Sequence, residues 1–138
     1  MKIEEQVLSR EQMARLVELG VDTSDASMAW YMSPNTNQWK IKVKDKFAHE
    51  MLRRISPERY IPTYTIGDLI EKLPKQIGWY ELSICWENEC IEYDNWISEE
   101  VTDYIGDFNF ENRPIIEALY DCLCWVAENH KELLEVKK

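Results

Sequence analysis

Glycine and histidine are scarce in this chain: four Gly and two His in 138 residues, beside five Pro and four Cys. Four glycines leave almost no material for a loop that cradles phosphates, and none of the patterns GxGxxG, GxxxxGKS/T, GxSxG or HExxH occurs. His49 and His130 are too isolated to complete a tetrahedral ligand set with the cysteines. Gly and Pro are also too few for a collagen-like, linker-like or disordered chain. No apolar run approaches the roughly 20 residues that a membrane span needs. The start Met1-Lys2-Ile3-Glu4-Glu5 is acidic where a signal peptide is basic and then apolar. These absences predict a folded cytoplasmic protein that is not an enzyme and has no membrane contact, no metal and no cofactor.

What is present is apolar bulk and acid. Hydrophobic residues make up 45%, with six Trp and seven Tyr, enough to bury one core of ordinary size and to offset the entropy of ordering. A single domain over residues 1–138 is expected, with 1–8 and 131–138 as frayed ends. Sixteen basic against twenty-six acidic residues leave a net charge of −10, which argues against direct nucleic-acid binding and against anionic lipid. The excess is uneven: residues 1–60 are close to neutral at +1, whereas residues 61–138 carry −11. Between Glu81 and Glu128 stand thirteen carboxylates and one cation, Arg113. Any partner that reads this stretch electrostatically should be basic.

Along the chain, Ser9 with Gln12 three residues on forms a capping-box signal, and Met13, Leu16, Val17 and Leu19 then recur at helical spacing until Gly20. Met28–Met32 and Trp39–Val43 flank the turn-favouring Ser33-Pro34-Asn35-Thr36-Asn37 and predict a hairpin. In its second strand Trp39, Ile41 and Val43 alternate with Lys40, Lys42 and Lys44, which places the first set on the core. Asp45 caps an expected short helix through Phe47, Ala48, Met51, Leu52 and Ile55. Thr65 with Asp68 signals another, carrying Ile66, Leu69, Ile70 and Leu73 and stopped by Pro74. Trp79–Trp86 and Ile91–Trp96 predict a second hairpin. Residues 98–110 read as an acidic connector with a helical turn near Glu99 to Tyr104. Asn112, with Pro114 in the first turn, opens the longest helix, which runs to about His130 and buries Ile116, Leu119, Tyr120, Leu123, Val126 and Ala127. The pieces do not alternate as βαβ. The expected fold is therefore α+β: a two-layer domain with a mostly antiparallel sheet of about four strands in two hairpins, helices packed on one face and a long C-terminal helix.

Cys122 and Cys124 lie two apart on a helix, about 200° from each other, and cannot chelate one metal together. Cys85 and Cys90 bracket the second hairpin's turn and approach across its strands, with no second pair to complete a zinc set. The default is four reduced thiols. The basic run Lys40, Lys42, Lys44, Lys46, Arg53, Arg54 and Arg59 reads as a guarded edge strand rather than a nucleic-acid surface. Trp39 and Trp86 fall on the apolar register of their strands and are expected in the core. Trp79 stands out of register, and Trp125 lies at the polar margin of the last helix. Trp79 and Trp125, ringed by Glu87, Glu89, Glu117, Asp121 and Glu128, are the candidate partner contacts.

The stretch Ile61-Pro62-Thr63-Tyr64-Thr65-Ile66-Gly67-Asp68-Leu69-Ile70-Glu71-Lys72-Leu73-Pro74, followed by a Trp/Tyr strand and a last helix with Ala118-Leu119-Tyr120 and Trp125-Val126-Ala127-Glu128-Asn129, resembles small uncharacterised proteins encoded by phages and integrative elements of gut Bacteroidetes. The resemblance runs from Ser9 onward and implies a mobile-element setting and a compact α+β fold; it carries over no functional residue. The expected function is that of a noncatalytic acidic accessory protein that binds another protein, with a second copy of the chain among the candidate partners. Two alternatives are a nucleic-acid-mimicking inhibitor of a host defence or DNA-processing protein, and an enzyme whose site is assembled from distant positions.

Overall fold

The structure, a computed structural model, describes residues 5–44, 54, 57–97 and 100–134. Within the single domain expected from the length, the contacts fall into two compact units, Met1–Asp68 and Leu69–Lys138. The α+β, mostly antiparallel class holds, but the strands lie in two sheets of three and four strands, so the two hairpins do not share one sheet.

In the first unit, α1 (Arg10–Glu18) starts at the capping box the sequence announces. Gln12 N–H donates to Ser9 Oγ at 3.1 Å, and Ser9 N–H donates to Gln12 Oε1 at 2.9 Å. Its apolar stripe buries Met13 and Leu16, while Val17 is exposed. Strands β1 (Met28–Met32), β2 (Trp39–Val43) and β3 (Tyr60–Thr63) form a sheet in the order β2-β1-β3. Both outer strands run antiparallel to β1. Pro62 has no N–H to donate and sits on the edge strand β3, where the loss of a ladder bond is tolerated. The carbonyl of Leu8 ties the entering chain to this sheet, accepting from Trp30 Nε1 at 2.8 Å and Thr63 Oγ1 at 2.7 Å.

Two expectations for β2 need correction. Val43 is 70% exposed rather than in the core, because it closes an edge strand where no further element covers it among the described residues. Trp39 is half-buried, with the Arg10 guanidinium 4.3 Å from its ring centroid, a cation–π contact rather than core packing. The helix expected from Asp45 to Ile55 lies outside the described residues.

Helix α2 (Ile66–Lys72) begins at the second capping signal. Thr65 N–H donates to Asp68 Oδ2 and Asp68 N–H donates to Thr65 Oγ1, both at 3.1 Å. Leu69 and Leu73 are fully buried, as their spacing predicts.

The second unit is built on the sheet β4-β5-β6-β7, antiparallel throughout: β4 (Gln76–Ile77), β5 (Tyr80–Cys85), β6 (Cys90–Ile97) and β7 (Glu100–Asn109). The acidic connector expected over 98–110 is thus a strand over Glu100–Asn109, and Glu100 to Tyr104, within the expected helical turn, are extended. Its period is hidden by an irregularity. Glu92 pairs with Asp107 and Tyr93 with Ile105, so Gly106, at φ 69°, is an extra residue on β7. This β-bulge puts Ile105 and Phe108, three positions apart, opposite Tyr93 and Ile91 on one face.

Helix α3 (Ile115–Asn129) covers that face. Ile116, Leu119, Leu123, Val126 and Ala127 are buried as expected, joined by Ala118 and Cys122, and Tyr120 is half-buried. The N-cap is Pro114 rather than Asn112; Asn112 sits in a left-handed turn at φ 58° just before the helix. No helix among the described residues is long and apolar enough to cross a membrane.

Candidate functional site

Alternation along β6 divides the sheet of the second unit into two chemically distinct faces. Ile91 and Tyr93 point to α3 and are fully buried. Cys90, Glu92 and Asp94 point the other way. Pairing extends this second face into rows: Cys85, Cys90 and Asn109; Ser83, Glu92 and Asp107; Gln76, Glu81, Asp94 and Tyr104. Four carboxylates and two thiols therefore share one side of a four-stranded sheet.

Within these rows Cys90, Glu92 and Asp107 converge. Each offers one donor atom, and the three atoms lie within 4.8 Å of one another. Asp94 follows Glu92 on the same face, only 1% exposed, and its Oδ1 has no hydrogen-bond partner among the described residues. Among the described residues no lysine or arginine pairs with Glu92, Asp94 or Asp107. The electrostatic cost is legible in the titrations. Burial, a hydrogen bond with Asp94 and the charges of Asp94 and Asp107 push the Glu92 carboxyl up to about 7. Burial, followed by Glu92, Asp107, Cys85 and Asp94, pushes the Cys90 thiol up to about 11. Asp94 is buried, Glu92 half-buried and Asp107 exposed; acids this close, with no paired cation among the described residues, hold a proton more tightly and attract any cation that reaches them.

A second feature lies at the outer edge of β5. An open groove of about 520 Å³ is lined by Ile70, Lys75, Gln76, Glu81, Leu82 and Ile84. Adjacent strand residues point to opposite faces, so a lining that includes both Glu81 and Leu82 wraps the strand's edge. Strand β4 pairs only with Tyr80 and Glu81. Leu82 N–H donates to Lys75 O at 2.9 Å, and from Ser83 to Cys85 no strand pairs with this edge among the described residues. The groove shares no residue with the thiol–carboxylate cluster.

The seven expected partner contacts do not form one patch. Trp79 stands 88% exposed at the tip between β4 and β5, where Gly78 takes φ 61° to close a two-residue turn. Trp125 is half-buried in an aromatic cluster, with ring centroids 5.3 Å from His130, 5.8 Å from Phe108 and 6.0 Å from Tyr93. Glu87 and Glu89 are exposed in the turn between β5 and β6, and the carbonyl of Glu89 accepts from Phe110 N–H at 2.7 Å. On α3, Asp121 accepts from Arg113 Nη1 at 2.8 Å, Glu117 is half-buried and Glu128 is exposed. Trp86, expected in the core, is 66% exposed. Strand β5 ends at Cys85, so the alternation no longer applies to Trp86, which rests edge-on against Phe110 at 5.7 Å.

The residues that do converge, Cys90, Glu92 and Asp107, with Asp94 hydrogen-bonded to Glu92, were not singled out from the sequence. Three of them alternate in Cys90-Ile91-Glu92-Tyr93-Asp94, which is readable as one strand face. Asp107 joins them only through the Gly106 bulge.

Compared with family models, with curated proteins and with solved structures, the chain matches none.

Proposed function

We propose that the Leu69–Lys138 unit is a noncatalytic binding module that takes an extended, basic segment of a partner protein along the outer edge of β5. The observation that supports this reading is the outer edge of Ser83 to Cys85, which pairs with no strand among the described residues and opens onto the groove lined by Ile70, Leu82 and Ile84. A strand edge offers a row of backbone donors and acceptors, and an added strand satisfies them while its alternate side chains fill the adjoining groove. Lys75 and Glu81 balance each other in the groove lining, so the preference for a basic segment comes from Glu87 and Glu89, in the turn beyond the strand's end. Trp79, in the turn that leads into β5, supplies an exposed aromatic anchor of the kind that dominates interface energies.

The test is selection of extended lysine- and arginine-containing peptides from a displayed library, followed by titration against three variants. Leu82 directs its N–H away from β6, so Ile84, two positions on, does the same. Ile84→Pro removes that outward donor without touching the ladder to β6 and should abolish binding. Trp79→Ala should weaken it at least tenfold, and Glu81→Lys should select against basic peptides. Binding that ignores Ile84→Pro and Trp79→Ala, yet disappears with Glu81→Lys and at high salt, would indicate recognition by charge alone, the nucleic-acid-mimicking mode.

A further inference from the structure

We propose that the thiol–carboxylate cluster on the far face of the second sheet is a metal site that takes one Zn²⁺, with Cys90 Sγ and the carboxylates of Glu92 and Asp107 as ligands. The placement is rigid. Cys90 and Glu92 are alternate residues of one strand, and Asp107 is the cross-strand partner of Glu92, so backbone pairing rather than a loop holds all three. Their donor atoms lie within 4.8 Å of one another. Zinc bonds of about 2.0 to 2.3 Å require donors roughly 3.3 to 3.8 Å apart in a tetrahedron, a contraction that side-chain rotation supplies.

An independent observation points to a ligand in this place. Asp94 is on the same face, hydrogen-bonded to Glu92, and its Oδ1 is buried with no partner among the described residues. A buried carboxylate oxygen without a donor is destabilising, and such an atom on the residue hydrogen-bonded to Glu92 is explained by a group that the protein itself does not supply. Water in the fourth zinc position would carry the hydrogen that Oδ1 lacks, in the way outer-shell carboxylates support bound metals. The mixed donor set selects the ion. A thiolate with two carboxylates suits zinc, whereas Mg²⁺ and Ca²⁺ prefer oxygen alone. On binding, the Cys90 thiol gives up its proton to solvent as the Sγ–metal bond forms.

The experiment uses the full chain, stripped with chelator and kept reduced with a phosphine so that Cys85 and Cys90 stay thiols. Co²⁺ is titrated in as an optical probe, and Zn²⁺ is then added in competition. The expected result is one Co²⁺ per chain, a sulfur-to-cobalt charge-transfer band in the near ultraviolet, visible bands of tetrahedral intensity, and displacement by Zn²⁺ but not by Mg²⁺ or Ca²⁺. Cys90→Ser should abolish the charge-transfer band. Asp107→Asn should weaken binding more than about tenfold, and Asp94→Asn by about 10- to 100-fold. Cys124→Ser, on α3, should change nothing. Circular dichroism of each variant separates a lost site from a lost fold, and the wild-type spectrum is decisive whichever variant fails. Absence of the charge-transfer band in the wild-type protein, or a band that survives Cys90→Ser, overturns the assignment; so does displacement of Co²⁺ by Mg²⁺ or Ca²⁺ as readily as by Zn²⁺.

Discussion

Gly106 and Trp125 approach so closely that a β-carbon on the glycine would stand 3.3 Å from the indole Cη2, and 3.0 Å from Cε2 of Phe108. The glycine also holds φ 69°, a left-handed conformation that costs other residues roughly 1 to 2 kcal/mol. Gly106→Ala should therefore destabilise the protein by about 2 kcal/mol or more, through strain at the bulge and displacement of the ring cluster. Chemical denaturation followed by Trp fluorescence measures this. An unchanged midpoint would mean that β7 can shed its extra residue at no cost.

The same bulge marks where the sequence stops being readable. Local signals were legible: the two capping boxes, the first hairpin with its Asn37 turn, the helical stripes of α1 and α3, and the second hairpin. Each is decided by residues within a turn or a pleat of one another. Strand β7 was not legible, because the extra residue shifts parity between Ile105 and Phe108 and cancels the period of two. The division into two sheets depends on pairings such as Ala29 with Pro62, thirty-three positions away, for which no local pattern exists. Trp86 and Val43 were misplaced for a common reason: alternation fixes a side only while a strand is covered, and both lie at or beyond a strand end. Most of the proposed metal site was visible as one strand face, but Asp107 reaches it through the bulge and was hidden with it.

Asp68 should matter more than an ordinary helix cap. Its Oδ2 accepts from Thr65 N–H at 3.1 Å, Ser27 N–H at 3.0 Å and Ser27 Oγ at 2.7 Å, tying the start of α2 to the segment before β1. Ser9→Ala removes one cap bond and should cost about 1 kcal/mol. Asp68→Ala removes three charge-assisted bonds and should cost about 2 to 3 kcal/mol. Equal losses in urea denaturation would show that the link to Ser27 adds nothing.

The two tryptophans expected to act together should separate cleanly. Trp79→Ala exposes no core and should change stability by no more than about 0.5 kcal/mol, while weakening peptide binding. Trp125→Ala opens a gap beneath Tyr93 and Phe108 and should cost about 3 kcal/mol. Thermal melts of both variants, read beside binding titrations, distinguish the anchor from the packing residue. A stability loss in Trp79→Ala comparable to that in Trp125→Ala would remove the case for Trp79 as a contact residue.

Alkaline pH should unfold the protein well before its backbone chemistry fails. Burial first, then the charge of Asp121, pushes the Cys122 thiol from 9.0 up to about 12. Burial first, then the hydrogen bond to Asp25 at 2.6 Å, pushes the Tyr64 hydroxyl well above its ordinary 10.0. In both cases the folded state keeps a proton that the unfolded chain releases. The associated stability is thus fully present below about pH 9 and is lost as the pH rises toward 12. At about pH 11 the Cys122 share of the loss is on the order of 2 kcal/mol. Urea midpoints should be flat between about pH 7 and 8.5 and fall steeply above 9. Cys122→Ala, which leaves no thiol to ionise, should start less stable by the volume it removes but decline less steeply. Parallel declines in wild type and variant would place the alkaline loss in the other groups whose protons the fold retains, Tyr64, Tyr93 and Cys90.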